Sequence, residues 1–179
     1  FGCGTGYNLV ALAELYPEKR LFGFDFVPSA VELVNKVAEA HGLNLSGQLF
    51  DMKAPDERVQ FEPQSVVLAF GAIEQLASQF EVFVQFLLAR SPALCISLDP
   101  TIELYDPEHL SDYLAITFHR KRGYTEGYLP RLQELEREGR IQIIKAKRMG
   151  FGSLFMEGFS YVMWRPRPDG RISTGSSSR

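Results

Sequence analysis

The chain has 179 residues, of which 45% are hydrophobic and 23% are charged, with a formal net charge of −3 at pH 7. This composition is typical of one globular domain, and the negative balance argues against general nucleic-acid binding, for which proteins are usually basic. No apolar run reaches the about 18 residues that a membrane span requires. The two cysteines, Cys3 and Cys95, form neither a disulfide framework nor a metal-ligand cluster. We therefore expect reduced thiols, no bound metal and a cytoplasmic protein.

The chain begins with a glycine-rich run, Phe1-Gly2-Cys3-Gly4-Thr5-Gly6, and a predicted helix follows it. Alternating glycines let the backbone turn sharply and approach a ligand closely. The next apolar run, residues 21–24, is predicted to be a strand, and it ends at Asp25. A glycine turn that opens a helix, with an acid about 20 residues later, is typical of α/β sheets that bind a ribose-bearing nucleotide. The acid then accepts hydrogen bonds from the ribose hydroxyls.

The spacing of the glycines indicates the kind of nucleotide. A dinucleotide fingerprint requires glycine or alanine at position 7, where this chain has Tyr7. Glycines at positions 2, 4 and 6 instead resemble motif I of the class I S-adenosylmethionine-dependent methyltransferases. The resemblance implies a Rossmann-like α/β sheet, mostly parallel with an antiparallel last strand, and helices on both faces. In that family the glycine turn follows the first strand, so we expect that strand to be missing and residue 1 not to be the native start.

Apolar runs and amphipathic stretches alternate along the rest of the chain, as in a parallel sheet covered by helices. Ser29 and Glu32 form a candidate capping box for a helix that ends near Gly42. The elements predicted after it are a strand at 48–50, a buried strand at 65–70, a helix with apolar positions at 80, 83, 84, 87 and 88, and a strand at 93–98.

A helical insertion is predicted at about 106–139, between the fifth and sixth strands. Asp106 is the expected N-cap of its first helix, with Pro107 at the first helical position. Glycines at 123 and 127 separate this helix from a second one at 130–138. The inner stripe of the first helix is expected to be Leu110, Tyr113, Leu114, Thr117 and Phe118, which leaves Asp112 and His119 on the opposite face, toward solvent or a cleft.

The last two strands are predicted at 141–146 and 159–164, and they fit the antiparallel end of the methyltransferase sheet. The domain is accordingly expected to span 1–166. Residues 167–179 form a low-complexity tail that we expect to be disordered.

The resemblance implies a cofactor site for S-adenosylmethionine at the carboxyl ends of the strands, where such folds bind ligands. Asp25 would bind the ribose, Asp51 and Met52 would border the adenine, and Phe70 would lie beside the methionine part. For Asp51 the alternative is a turn or helix N-cap residue. The full predicted set of cofactor-binding residues is Gly2, Gly4, Gly6, Asp25, Phe26, Asp51, Met52 and Phe70.

Two side chains are candidates for removing a proton from a methyl acceptor. Glu74 follows the buried strand 65–70, and its alternative role is a solvent-facing carboxylate at a helix start. His119 is the best candidate general base because imidazole titrates near neutral pH, although a surface histidine is the commoner case. Arg120, Arg122 and Tyr124 follow it and predict an anionic acceptor, unless the basic run is only a solvated helix end.

The sequence therefore predicts methyl transfer from S-adenosylmethionine to a small molecule, with an oxygen nucleophile on an anionic or sugar-like compound. Positioning alone supplies much of the rate of such a displacement, so a base is needed only where the nucleophile must lose a proton. Two alternatives stay open, a catalytically silent S-adenosylmethionine-binding module and a nicotinamide-dependent oxidoreductase. No nucleic-acid or membrane partner is expected, and the oligomeric state is left open.

Overall fold

The computed structural model describes residues 1–150, 152–153, 156–157 and 159–167. The helices are α1 (Tyr7–Leu15), α2 (Pro28–His41), α3 (Phe80–Arg90), α4 (Leu110–Arg122) and α5 (Tyr128–Arg137), with 3₁₀ segments at Ile73–Gln79 and Ile102–Leu104. The strands are β1 (Leu21–Asp25), β2 (Leu45–Leu49), β3 (Val66–Phe70), β4 (Leu94–Asp99), β5 (Ile141–Arg148), β6 (Gly152–Ser153), β7 (Met156–Glu157) and β8 (Ser160–Pro166).

The strands pair as a parallel pair, a mixed four-stranded sheet and a short hairpin. β1 lies parallel to β2, and β3 lies parallel to β4. β8 is antiparallel to both β4 and β5, which gives the order β3-β4-β8-β5. β6 and β7 form the hairpin. The mostly parallel sheet with an antiparallel last strand agrees with the predicted fold class.

The beginning of the glycine run joins the two larger sheets. The backbone nitrogen of Cys3 donates to the carbonyl of Phe24 in β1 at 3.1 Å, and the nitrogen of Phe1 donates to the carbonyl of Leu68 in β3 at 2.7 Å. The Phe1 ring stacks on Phe24 with ring centroids 4.6 Å apart. Residues 1–3 thus bond to both β1 and β3.

The core lies where α3 and α5 cover the mixed sheet. Its fully buried side chains include Phe83 from α3, Leu132 and Leu135 from α5, and Trp164 from β8. The indole nitrogen of Trp164 donates to the hydroxyl of Tyr128 at 3.1 Å, so the polar atom of this large side chain is satisfied. Each apolar side chain of this size contributes about 1.5–3 kcal/mol through burial, and the carboxyl edge of β3 and β4 rests on this core.

Two predicted helix starts are wrong. α2 begins at Pro28, with Val27 as N-cap and no side-chain cap bond, because proline is already preorganised for the first helical position. The Ser29/Glu32 capping box therefore does not form, although Gly42 does end the helix with a φ of 60°. α4 begins at Leu110 and not at Pro107, because the Asp106 carboxylate accepts from Glu108 N at 2.9 Å in a turn that precedes the helix.

The predicted orientation of α4 is also wrong. The expected inner stripe lies outside, with Leu110 72% and Tyr113 55% exposed. Asp112 and His119 are buried instead, together with Ala115 and Ile116. The reversal has a polar cause: Arg148 of β5 donates to both oxygens of Asp112, at 2.6 and 2.8 Å. Burying a carboxylate is tolerated when a bidentate guanidinium satisfies it.

The other predicted elements agree with the structure to within a few residues, including the glycine break at 123 and 127, where both φ values are positive. The predicted tail lies outside the described residues apart from Arg167. Among the helices that the structure describes, none combines the length and the apolar character needed to cross a membrane.

Candidate functional site

The glycine turn at the carboxyl edge of the sheet has the backbone geometry of a ligand cradle. Gly2, Gly4 and Gly6 have φ values of +66°, +51° and +79°, a conformation that other residues rarely adopt. A side chain at Gly2 would clash with Ala72, and one at Gly6 would lie 2.8 Å from Val34 Cγ2. A Cβ at Gly4 would meet no atom within 4 Å, so the backbone there faces open space.

Asp25 holds the tip of this turn. Its Oδ2 accepts from the amide of Gly4 at 2.7 Å, and its Oδ1 accepts from the amide of Val27 at 3.0 Å. The residue is only 7% exposed. Each carboxylate oxygen has a second lone pair, so these bonds leave acceptor capacity for ribose hydroxyls. Fixing the turn is a role that the sequence did not predict, and the ribose contact stays a prediction.

The residues predicted to contact the adenine and the methionine part of the cofactor differ in their exposure to solvent. Asp51 is exposed, and its Oδ1 accepts from the amide of Lys53 at 2.8 Å, which is the turn role given as its alternative. Met52 is buried in the main core. Phe26 and Phe70 are exposed, and the Phe70 ring lies 4.7 Å from that of Phe159. Their contacts with a cofactor stay predictions.

The two candidate bases, which come from distant parts of the chain, meet in one small pocket. Glu74 follows the end of β3, and His119 lies near the end of α4. The pocket is lined by Glu74, Pro100, Tyr105, Ala115, Phe118, His119 and Tyr124. Because Pro100 follows β4 directly, the pocket lies at the same carboxyl edge as the glycine turn, where α/β folds bind ligands.

His119 is held in one orientation by the loop that follows α4. Its Nε2 lies 2.7 Å from the carbonyl oxygen of Thr125, and a carbonyl only accepts, so Nε2 carries the proton in this bond. Nδ1 is then the basic nitrogen. His119 is 2% exposed, so the alternative of a surface histidine is wrong. Thr125 also binds the Glu74 segment, since its amide donates to the Glu74 carbonyl at 2.8 Å.

The Glu74 carboxyl is half-buried, and burial raises its pKa above the ordinary value. Electrostatic interactions with His119 and Arg122 shift the Glu74 pKa in the opposite direction. A carboxylate with a raised pKa accepts a proton more readily near neutral pH, which suits a general base. Glu74 also lies in the first turn of the 3₁₀ segment Ile73–Gln79, as its alternative role expects, although it is half-buried and lines the pocket.

The two arginines that follow His119, Arg120 and Arg122, lie in different environments. The Arg122 guanidinium lies 5.6 Å from the centre of the Tyr124 ring and 5.9 Å from that of Phe118, so it is at the rim of the pocket. Arg120 instead pairs with Glu126, its Nε 3.3 Å from Oε2, on the exposed surface. The structure therefore places Arg122 and Tyr124 at the pocket and Arg120 away from it.

Asp99 is an acid of this region to which the sequence analysis gave no role. It ends β4, is 4% exposed, and accepts from the amide of Glu74 through Oδ1 at 3.1 Å. Among the residues that the structure describes, its Oδ2 has no hydrogen-bond partner. Burial raises the pKa of Asp99 to about 7. The signal that selected Asp25, an acid that ends an apolar strand, is present here too. No three His, Cys, Asp or Glu side chains in the described part of the chain are grouped to hold a metal ion.

Comparison with known proteins agrees with this geometry. Residues 1–87 match the sequence profile of a family described as methyltransferase domain. No curated protein matches the chain by sequence. LepI in complex with S-adenosylmethionine aligns with a TM-score of 0.64 and 15% identity, covering 93% of this chain and 42% of LepI. A substituted form of LepI with S-adenosylhomocysteine and a substrate analogue aligns at 0.65 and 14%, with the same coverage.

A third solved structure, the methyltransferase domain of bacterial CtHen1-C, has a TM-score of 0.61 and 16% identity, and the match covers 92% of this chain and 86% of that one. The chain thus spans 42% of the length of the LepI structures and 86% of the CtHen1-C methyltransferase domain. The fold is thus that of Rossmann-like S-adenosylmethionine-dependent methyltransferase structures, and the first 87 residues match a methyltransferase domain, which agrees with the resemblance that motif I carries. The expected cofactor agrees with the family match, and the nicotinamide alternative is not supported.

Proposed function

We propose that the protein transfers a methyl group from S-adenosylmethionine to a hydroxyl of a small anionic or sugar-like molecule. One observation carries this proposal: Glu74 and His119 line the same pocket, with Arg122 at its rim. Two groups that can take a proton, next to a cation, are what an anionic hydroxyl compound would need.

The glycine turn fits the cofactor. The open backbone at Gly4 allows close approach of a ligand, and Asp25 has acceptor capacity on the same turn. When bound, S-adenosylmethionine supplies an electrophilic methyl group on a sulfonium, which leaves readily. We propose that Gly2, Gly4 and Gly6 with Asp25 hold the cofactor, that Asp51 and Met52 border its adenine, and that Phe26 and Phe70 pack against it.

The residues of the pocket would position the acceptor and take its proton. His119 Nδ1 and the Glu74 carboxylate are the two candidate acceptors of that proton. Ala115 and Phe118 make the pocket wall partly apolar, and an apolar wall excludes water from the reacting oxygen. Arg122 would attract the negative charge of the acceptor, while Tyr124 offers a ring for stacking. Positioning contributes much of the rate in such a displacement.

The test is transfer of a labelled methyl group to a panel of sugar phosphates, hydroxy acids and phenols. Glu74→Gln and His119→Gln each remove a base, and glutamine at 119 can still donate to Thr125. We expect each variant to lower kcat by about 10²-fold or more while S-adenosylmethionine affinity is unchanged. Glu126→Gln, an exposed acid on the neighbouring loop, is the matched control. Full turnover in both test variants would refute the assignment of the bases.

A second candidate is a domain that binds S-adenosylmethionine without methyl transfer. Its support is that a structure described as a pericyclic reaction enzyme aligns with 93% of this chain at a TM-score of 0.65. Cofactor binding with no transfer to any acceptor in the panel would favour this candidate. Under either proposal the working unit is residues 1–166, with 106–139 as an insertion, the partner is a small molecule, and the location is the cytoplasm.

A further inference from the structure

Asp99 and Glu74 are joined through the backbone beneath the pocket. Asp99 ends β4, and its Oδ1 accepts from the Glu74 amide at 3.1 Å. The backbone amides of Ala72 and Ile73 also stabilise the charged form of Asp99. This carboxyl group therefore helps to anchor the turn to β4, together with the amide of Gly71, which donates to the carbonyl of Leu98 at 2.9 Å.

The other oxygen of Asp99 has surroundings that disfavour a charge. Oδ2 is buried without a partner, and the residue opposite it in β8 is Ser160, which is 0% exposed. Within the described part of the chain, the Ser160 hydroxyl also has no hydrogen-bond partner. Directly opposed residues on antiparallel strands point to the same face. A buried carboxylate oxygen without a hydrogen bond makes the charged form of Asp99 more costly to bury than the neutral acid.

The groups around Asp99 supply little positive charge. Glu74 repels a charge on Asp99, while the hydroxyl of Tyr128 and the thiol of Cys95 are neutral groups. His119 and Arg122 interact with Glu74. Of the two carboxyl groups, Glu74 thus has the neighbours that favour the ionised form.

We propose that Asp99 is a positioning residue for Glu74: it anchors the Glu74 backbone to β4, and the two carboxyl groups together keep one proton up to neutral pH. The proton stays on Asp99 Oδ2, so Glu74 is the ionised member in the pocket. Like charges in one region raise the apparent pKa of one partner, and the titration then belongs to the pair. This inference rests on the proposed role of Glu74 as a base.

The test follows the backbone amide of residue 74 in ¹⁵N–¹H correlation spectra of the full chain with S-adenosylmethionine bound, from about pH 5 to 9. In the wild type we expect this resonance to titrate with a midpoint near 7, the value to which burial raises the Asp99 pKa. In Asp99→Asn the titration should vanish. In Glu74→Gln the midpoint should fall, because the repelling charge is gone, but it should stay above the ordinary carboxyl range, because Asp99 is still buried.

A second measurement tests the anchor itself. Asp99→Ala removes the acceptor, so the residue 74 amide should exchange with solvent about tenfold faster, the factor expected for one lost hydrogen bond. Asp99→Asn keeps an acceptor oxygen and should exchange as the wild type does. Glu126→Gln is the control for both measurements and should change neither.

The result that would overturn the inference is a residue 74 amide that does not titrate near neutral pH in the wild type, or a midpoint that Glu74→Gln leaves unchanged. This failure is separable from failure of the proposed function. Full methyl transfer by Glu74→Gln would show that Glu74 is not a base. The titration of the residue 74 amide in the wild type would still be observed. If Asp99→Asn does not fold, the wild type and Glu74→Gln alone decide the outcome.

Discussion

The carboxylate of Asp25 accepts a hydrogen bond from the amide of Gly4 at 2.7 Å, so the acid that ends β1 and the tip of the glycine turn form one unit. A residue read from the sequence as a ligand contact is thus also part of the ligand cradle. The consequence is that substitutions at position 25 change two things, the turn and the ribose contact. The two effects can be separated experimentally.

Asp25→Ala is expected to weaken S-adenosylmethionine binding by about 1.5–3 kcal/mol, because it removes the carboxylate partner of both the turn and the ribose hydroxyls. Asp25→Asn keeps one acceptor oxygen for the Gly4 amide and should lose less. Calorimetric titration with the cofactor measures both values. Asp56→Ala is the control, since Asp56 is a carboxylate whose side chain binds Arg58 on the surface. Unchanged affinity in Asp25→Ala would refute the assignment.

The different environments of Arg120 and Arg122 give a prediction about charge at the pocket. Arg122→Gln should raise the KM for an anionic acceptor and weaken its dependence on salt, which screens charges over about 8–10 Å. Arg120→Gln should change neither, because Arg120 pairs with Glu126 on the exposed surface. Initial rates at several ionic strengths test this. Equal effects of the two substitutions would mean that Arg122 has no specific role and that the two arginines contribute only their overall positive charge.

Asp99 gives a prediction about how stability falls as pH rises from the acidic range to neutrality. The pKa of Asp99 in the folded chain is raised to about 7, above its value of about 3.9 in an unfolded chain. Its contribution to stability is therefore present below about pH 4 and is lost as pH rises toward 7, with a slope of up to about 1.4 kcal/mol per pH unit. Urea unfolding of Asp99→Asn should lack this part of the decline. A decline equal to that of the wild type would contradict the raised pKa.

For Asp112, the change of stability with pH has the opposite sign. Its hydrogen bonds with Arg148 hold the pKa of the Asp112 carboxyl below its ordinary value. The stability that this pair contributes is present above the unfolded-state pKa of about 3.9 and is lost as pH falls through the lower folded-state value. Asp112→Ala removes the bidentate pair with Arg148 and should lower the free energy of unfolding at pH 7 by about 1.5–3 kcal/mol, the contribution of hydrogen bonds to charged groups. Urea unfolding at pH 7 and at pH 3 measures both effects.

Glu108→Ala is the matched control for that measurement, because Glu108 is an exposed acid in the turn just before α4. It should change the free energy of unfolding by less than about 0.5 kcal/mol. A loss in Glu108→Ala as large as that in Asp112→Ala would show that the effect comes from general charge and not from the Arg148 pair.

Local sequence signals predicted the glycine turn, the order of strands and helices, and both glycine-terminated breaks around α4 and α5. These signals depend on residues a few positions apart. The outward face of α4 could not be predicted in this way, because the partner that buries Asp112 is Arg148 on β5. An apolar stripe usually points inward, and here a pair of charges formed by a distant strand reversed it.

The candidate site was predicted in part for the same reason. Asp25, Glu74 and His119 each stood out by residue type and by position at the end of a strand or helix. Their meeting could not be predicted, because it depends on Thr125, whose backbone binds both His119 and the Glu74 segment. Asp99 has the same sequence signal as Asp25. Only its burial and its unpartnered oxygen distinguish it.

The most direct test of the proposed function is a crystal structure of the protein with S-adenosylhomocysteine. The sulfur marks the position from which a methyl group leaves. The proposed function predicts the ribose on Asp25 and the sulfur facing the pocket that holds Glu74 and His119. A bound product whose sulfur points away from that pocket, or that lies outside the glycine turn, would contradict it.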